Sequence, residues 1–383
     1  MRIVLLDTYY PRFLSARYAA DPALAQQSYA VQQQCLLAQL FGTSDFYSRH
    51  LKALGHEAED LIVNCTPLQK TWARENGVAI SELALNLPQP ALRLPVIGPW
   101  LSALPGLVEV AMAQIKAARP DVLYCQDLWF LTPQKLVELR PFVKLIVGQI
   151  ASPLPPENYR KGYDLILTSF LHFVPRLRAL GIHSEYFKIG FDTRVLEALG
   201  PVSKDVNASF VGGISRHHGK ALPMLDQLAR TTPIEFFGYG AKSLPSSSPI
   251  KARHHGEVWG LDMYRALARS RVTLNRHINV AENNANNMRL YEATGVGSLL
   301  ITDHKDNLST LFEPNQEVIV YRTPEEAGEL IRYYIEHPDE AAAIAKAGQA
   351  RTLRDHTYQR RMEELAPLLE RYLSVSGMPA SRN

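Results

Sequence analysis

Short apolar runs alternate with helical stretches along most of the chain, and this alternation restricts the fold more than any other feature. Ile3-Val4-Leu5-Leu6 opens the series just before Asp7, and strand-length runs follow at 58–63, 122–125, 144–147 and 165–168. The helical stretches between them stop at Gly55, Pro120 and Gly181. Such residues end helices, glycine by entering the left-handed region cheaply and proline by lacking an N–H. Strand-helix-strand repetition of this kind predicts a parallel sheet with helices on both faces. Beyond Leu199-Gly200-Pro201 the pattern restarts, with strands at 208–211, 234–237, 272–274, 298–302 and 317–321. Helices at 324–336, 338–354 and 358–373 close the chain. The reading is two doubly wound α/β domains, 1–200 and 201–357, followed by a final helix and tail, 358–383.

Composition fits that layout. With 383 residues, 46% hydrophobic and 21% charged, the chain has the make-up of a soluble globular protein of two or three domains. The 41 Lys+Arg and 38 Asp+Glu leave a formal charge of +3, which gives no reason to invoke nucleic acid as the main partner. Cys35, Cys65 and Cys125 include no close pair, so neither a disulfide framework nor a zinc site is expected, and a reducing, cytoplasmic setting is. The first apolar run is too short for a signal-peptide core. The most apolar longer stretch, 85–112, is broken by Arg93, Glu109 and prolines 88, 90, 95, 99 and 105, so it cannot be a simple spanning helix. Val96, Ile97, Trp100 and Leu101 within it fit packing against the sheet or between domains; the other reading is peripheral contact with the inner membrane face.

Two doubly wound domains facing each other create a cleft, because such sheets bind ligands beyond the carboxyl ends of their strands. The turn after the first strand, Leu6-Asp7-Thr8-Tyr9-Tyr10, has no glycine fingerprint, which argues against a nicotinamide dehydrogenase. The most informative segment is Leu274-Asn275-Arg276-His277-Ile278, continued by Asn286-Asn287-Met288-Arg289-Leu290-Tyr291-Glu292 and the strand that ends in Thr302-Asp303. Asn287 reads as an N-cap that leaves free N–H groups at the positive end of a helix, a site suited to a diphosphate. Arg289 and Glu292, three residues apart, share a face, and a carboxylate there can accept hydrogen bonds from two vicinal hydroxyls. The plainer alternative is a capped helix carrying a solvated Arg–Glu pair.

Asn287, Arg289, Glu292, Ala293, Gly297 and Thr302-Asp303 together resemble the donor-binding helix of GT-B glycosyltransferases of the group-1 type and their spore-maturation (CgeB-like) relatives. The resemblance continues through 311–318, 333–338, Ala347-Gly348 and 356–361, covering about 205–370. It implies a GT-B fold: two Rossmann-like domains facing across a cleft, with the last helix crossing back to the first. The implied reaction moves a sugar from a nucleoside-diphosphate donor, UDP-linked rather than GDP-linked, to a hydroxyl of a glycan, lipid-linked, protein or small-molecule acceptor. By the same likeness Glu292 would hold the ribose, and Arg216 and Lys220 the diphosphate. The loop around Val258 would cradle the base, with Tyr239 lining the same pocket. Where many retaining relatives carry a second glutamate, eight positions before Glu292, this chain has Asn284, so the anomeric outcome stays open.

No Asp-x-Asp occurs, and the adjacent histidines 217–218 and 254–255 would point to opposite faces of a strand, so transfer without a metal is expected. His277, ending its strand, is either ligand-facing or a structural histidine. In the first domain Asp127, just past the run 122–125, is the candidate base, since that role needs a carboxylate within hydrogen-bond reach of the acceptor. Asp7 and His172 are its rivals and, with Tyr9, acceptor-site candidates. Ile189-Gly190-Phe191-Asp192 resembles an interdomain turn. Two other readings use the same scaffold: a non-catalytic nucleotide- or glycan-binding protein, and a nucleotide-sugar epimerase.

Overall fold

The strands form where uninterrupted apolar runs can be covered on both faces. Ile3, Val4, Leu5 and Leu6 are all essentially buried, as a central strand between two helical layers requires. A computed structural model describes residues 1–81, 106–214 and 222–376. Its first sheet has six parallel strands, β1 (Arg2–Asp7), β2 (Glu57–Ile62), β3 (Val122–Cys125), β4 (Leu145–Ile150), β5 (Leu165–Thr168) and β6 (Ser184–Tyr186), ordered β2-β1-β3-β4-β5-β6. The second has five parallel strands, β7 (Val206–Val211), β8 (Glu235–Phe237), β9 (Ser270–Leu274), β10 (Leu299–Asp303) and β11 (Ile319–Tyr321), ordered β11-β10-β9-β7-β8.

These orders locate the functional end of each domain. In the first sheet the chain winds outward from β1 to β2, then returns to β3 on the other side of β1. In the second, β7 leads to β8 and then back across to β9. Each reversal opens a crevice at the carboxyl ends of the two strands that flank it. Asp7 and Gln126 therefore stand at one crevice, and Gly212, Asn275 and Arg276 at the other.

The closing helix, Tyr358–Ser376, returns to the first domain, as expected. Tyr358 stacks on Phe46 with ring centroids 5.1 Å apart, and Met362, Leu365 and Leu369 are buried in the same core as Ile3 and Leu5. The crossing is pinned at the predicted interdomain turn, where Phe191 N donates to His356 O and Tyr358 N donates to Phe191 O, both at 2.9 Å. Two elements differ from expectation. β6 is an edge strand of Ser-Glu-Tyr, which carries no apolar run to announce it. Between β1 and β2, where the sequence shows no clear helical pattern, residues 11–37 include helices Pro11–Ala20 and Tyr29–Leu37, Ser28 capping the second by accepting from Val31 N. The membrane-contact candidates Val96, Ile97, Trp100 and Leu101 lie outside the described residues. Among the described residues no helix is long and apolar enough to cross a membrane.

Packing around helix Met288–Gly295 depends on one glycine. Helix Pro338–Asp355 lies on helix Met288–Gly295, where Thr294 and Thr352 share a 2.6 Å hydrogen bond, and a Cβ on Gly348 would overlap Glu317 O. Gly348→Ala is expected to lower stability by about 2–3 kcal/mol, since overpacking against backbone forces the helix outward. Urea denaturation read by circular dichroism measures it; an unchanged midpoint would show that the helix shifts freely.

Candidate active site

A cleft of about 490 Å³ separates the two domains, within the range of small-molecule sites. One wall carries Asp7, Thr8, Tyr10, Phe41, Gly42, Thr43 and Gln126; the other carries Gly212, Gly213, Tyr239, Val258, Trp259, Asn275, Arg276 and the start of helix Met288–Gly295.

That helix presents its N-terminus to the cleft. Asn287 caps it by accepting from Leu290 N (3.3 Å) and is itself fixed by donating to Asn275 Oδ1 (2.9 Å). The positive end of the dipole and the free N–H groups therefore face the cavity. Arg289 and Glu292 both line it and pair at 2.8 Å. Glu292 is only 5% exposed; burial raises its pKa and the Arg289 charge pulls it back. Arg276 also lines the cleft, whereas His277 turns into the protein. His277 Nδ1 meets Asp303 Oδ1 at 2.7 Å, and the same oxygen accepts His277 N at 2.9 Å. Burial works against the Asp303 carboxylate, but the His277 contacts and the Lys305 charge outweigh it and hold its pKa below 3.8.

Aromatic rings form the far end. Tyr239 lies flat on Trp259 at 5.7 Å, and Tyr10 of the first domain meets both edge-on, at 6.2 and 5.6 Å. Val258 lines the cleft beside them. The backbone here is tightly held: Gly238 N donates to Gly256 O (2.8 Å), His254 Nε2 bonds Gly238 O (2.7 Å), and Gly238 has a φ of +124°. A side chain at Gly238 would overlap Gly212 O, so only glycine fits.

On the first-domain wall Asp7 Oδ1 accepts Thr8 N at 2.7 Å and Oδ2 lies 3.3 Å from Thr43 Oγ1. Burial pushes the Asp7 carboxyl up from 3.8 to about 7, against the Thr8 and Thr43 hydrogen bonds. Asp127 stands one hydrogen bond behind: its Oδ2 accepts Thr8 Oγ1 and its Oδ1 accepts Trp129 N, both at 2.8 Å. Tyr9 is buried against Phe13 and Phe41, and its neighbour Tyr10 is the tyrosine that reaches the cleft. His172 joins the domains instead, taking a hydrogen bond from Asn284 Nδ2 at 2.8 Å and meeting Val280 O at 3.2 Å. Burial keeps its pKa below the usual 6.5. Arg216 and Lys220 lie outside the described residues. Among the described residues no cluster of His, Cys, Asp or Glu could hold a metal ion.

Several lining residues were not singled out from the sequence: Tyr10, Thr43, Gln126, Trp259 and Arg276. Thr43 sits in a loop with positive φ at Leu40 (53°), Gly42 (60°) and Ser44 (45°). Such conformations cost about 1–3 kcal/mol each for non-glycine residues and persist where surrounding structure imposes them. The lone Gly42 ahead of a helix was the only local sign of this loop.

Solved structures share this architecture. Sucrose-phosphate synthase from Thermosynechococcus elongatus is similar over 98% of this chain and 100% of its own, with a TM-score of 0.58 and 11% identity. HepE from Anabaena, solved in complex with UDP, matches over 97% and 100%, with a TM-score of 0.58 and 14% identity. The fold is GT-B. AviGT4, a glycosyltransferase involved in avilamycin A biosynthesis, shares it over 98% of this GT-B chain and 99% of its own (TM-score 0.55, 14% identity). Residues 216–366 of the GT-B chain match a family model described as glycosyl transferase-like. No curated protein matches its sequence. The matched domain and the GT-B fold support a sugar-transferring enzyme.

Proposed function

We propose that this chain transfers a sugar from a UDP-linked donor to a hydroxyl acceptor, without a metal, as a group-1-type enzyme with CgeB-like character. One observation carries the reading: a capped helix N-terminus faces an interdomain cleft with Arg289 and the buried Glu292 on the same side. The diphosphate sits on that N-terminus, where the helix dipole, Arg276 and Arg289 offset the charge that grows as it leaves. By the sequence resemblance, Arg216 and Lys220 would also pair with the diphosphate. Glu292 accepts the two ribose hydroxyls, and the base lies by Val258 and Tyr239. UDP in the HepE complex supports the choice of nucleotide.

Asp7 faces this site from the opposite wall, and a pKa of about 7 suits a general base at neutral pH. In the proposed step the acceptor oxygen bonds to the sugar's anomeric carbon as the carbon–oxygen bond to the diphosphate breaks. The acceptor proton passes to Asp7 Oδ2. Asp127 positions this arrangement through Thr8.

Isothermal titration tests the donor site. UDP is expected to bind, with GDP at least about tenfold weaker, a difference of roughly 1.4 kcal/mol. A chain that binds neither overturns the assignment. UDP release from UDP-glucose, at equal rates with and without EDTA, is the expected sign of metal-independent turnover; binding without turnover would favour a non-catalytic protein.

A further inference from the structure

Loop 40–44 touches both domains and the candidate base at once. At one end Gln39 O accepts Leu261 N of the second domain at 2.8 Å. Gly260, with φ +51°, lets the backbones approach that closely, since a Cβ there would overlap Gln39 O. Phe41 stacks on Phe13 at 4.2 Å and meets Trp259 of the second domain at 5.8 Å. Ser44 Oγ donates to Leu37 O at 2.7 Å, closing the loop on its own domain. Between these anchors Thr43 Oγ1 lies 2.8 Å from Gln126 Oε1 and 3.3 Å from Asp7 Oδ2. One hydroxyl proton thus serves two acceptors.

We propose that Thr43 is a positioning residue for Asp7, and that loop 40–44 delivers its hydroxyl to the carboxylate only while docked on the second domain. The proposal rests on reading Asp7 as the base. With Asp7 ionised, the Thr43 proton turns to Oδ2. Once Asp7 has taken the acceptor's proton, Oδ2–H donates to Thr43 Oγ1 and the threonine proton turns to Gln126 Oε1. Every proton has an acceptor in both states, and closure of the cleft sets how readily the base ionises. The titratable groups facing Asp7 are Asp127, whose charge opposes its ionisation, Asp60, whose own carboxyl the Asp7 charge pushes up, and the hydroxyls of Tyr9, Tyr10 and Tyr47. The Thr43 contact works in the opposite sense, favouring the anion.

Carboxyl-carbon NMR of the full chain labelled at aspartate, with the Asp7 signal assigned by its loss in Asp7→Asn, reads the titration directly. Thr43→Val is expected to raise the Asp7 midpoint by about one pH unit, a tenfold drop in ionised fraction below it. Thr43→Ser should restore the wild-type value. Gln126→Leu frees the hydroxyl proton for Asp7 and should move the midpoint down. Undocking the loop should raise it as Thr43→Val does; Leu261→Pro removes the donor in a helix first turn that tolerates proline, and Gly260→Ala pushes the loop away. An unchanged or lowered midpoint in Thr43→Val, or the same sign in Thr43→Val and Gln126→Leu, overturns the positioning role. Wild-type midpoints in both Leu261→Pro and Gly260→Ala overturn the dependence on docking. The base reading fails separately: wild-type turnover of UDP-glucose by Asp7→Asn would end it, whatever the titrations show.

Discussion

Glu292→Ala is expected to weaken UDP binding about 100-fold. Two hydrogen bonds from ribose hydroxyls to a charged acceptor are each worth about 1.5–3 kcal/mol, and part of that is recovered by water in the variant. The side chain is 5% exposed and its partner is Arg289 at 2.8 Å, so the substitution also leaves a cation in the cleft with no carboxylate beside it. That cation still attracts the diphosphate, which is why the loss stops short of abolishing affinity. Titration of the variant against uridine separates the two effects: the nucleoside keeps the ribose and lacks the phosphates, so its binding should fall by the larger factor. Equal affinity of wild type and variant for UDP would remove Glu292 from the donor site.

Asp7→Asn is expected to lower turnover of UDP-glucose by about 10²–10⁴-fold, the range for loss of a positioned base. With the wild-type carboxyl titrating at about 7, activity should rise with pH through that value and level off above it. The variant should lose that limb while still binding UDP. Stability should move the other way. Because the folded chain raises the Asp7 pKa above 3.8, it holds the proton more tightly than the unfolded chain does. The stability linked to that proton is complete below the unfolded pKa and is lost as pH rises through about 7. Asparagine carries no such loss, so the variant should be more stable than wild type at about pH 8 and little changed at about pH 4. Urea titrations at the two pH values check the sign.

The sheets were legible because their strands are apolar throughout: β1, β3 and β5 coincide with runs that nothing but a two-sided cover could bury. β6 was missed because an edge strand of Ser-Glu-Tyr needs little burial. Helix Met288–Gly295 was legible because its cap, its cation and its carboxylate lie within one stretch of sequence. The opposite wall was not. Asp7 ends β1 and Asp127 follows β3, and only the cavity lining, which includes the first and not the second, tells them apart. His277 and Arg276 illustrate the same limit: adjacent residues at a strand end point to opposite sides, and periodicity does not say which side is wet. Thr43 could not be found by spacing at all, since its place depends on a backbone turned at Leu40, Gly42 and Ser44 against a domain far along the chain.

The return of helix Tyr358–Ser376 to the first domain bears on how the chain is made. Phe46 and Tyr47 find Tyr358 only after the whole second domain has been synthesised, so during translation the early sheet waits with one flank bare. Loops of that length close slowly, and exposed aromatic surface is what chaperones and neighbouring nascent chains seize. Cutting the gene between the two sheets would therefore yield neither half in finished form: the front piece would lack its outer layer, and the back piece would carry an orphaned, greasy helix.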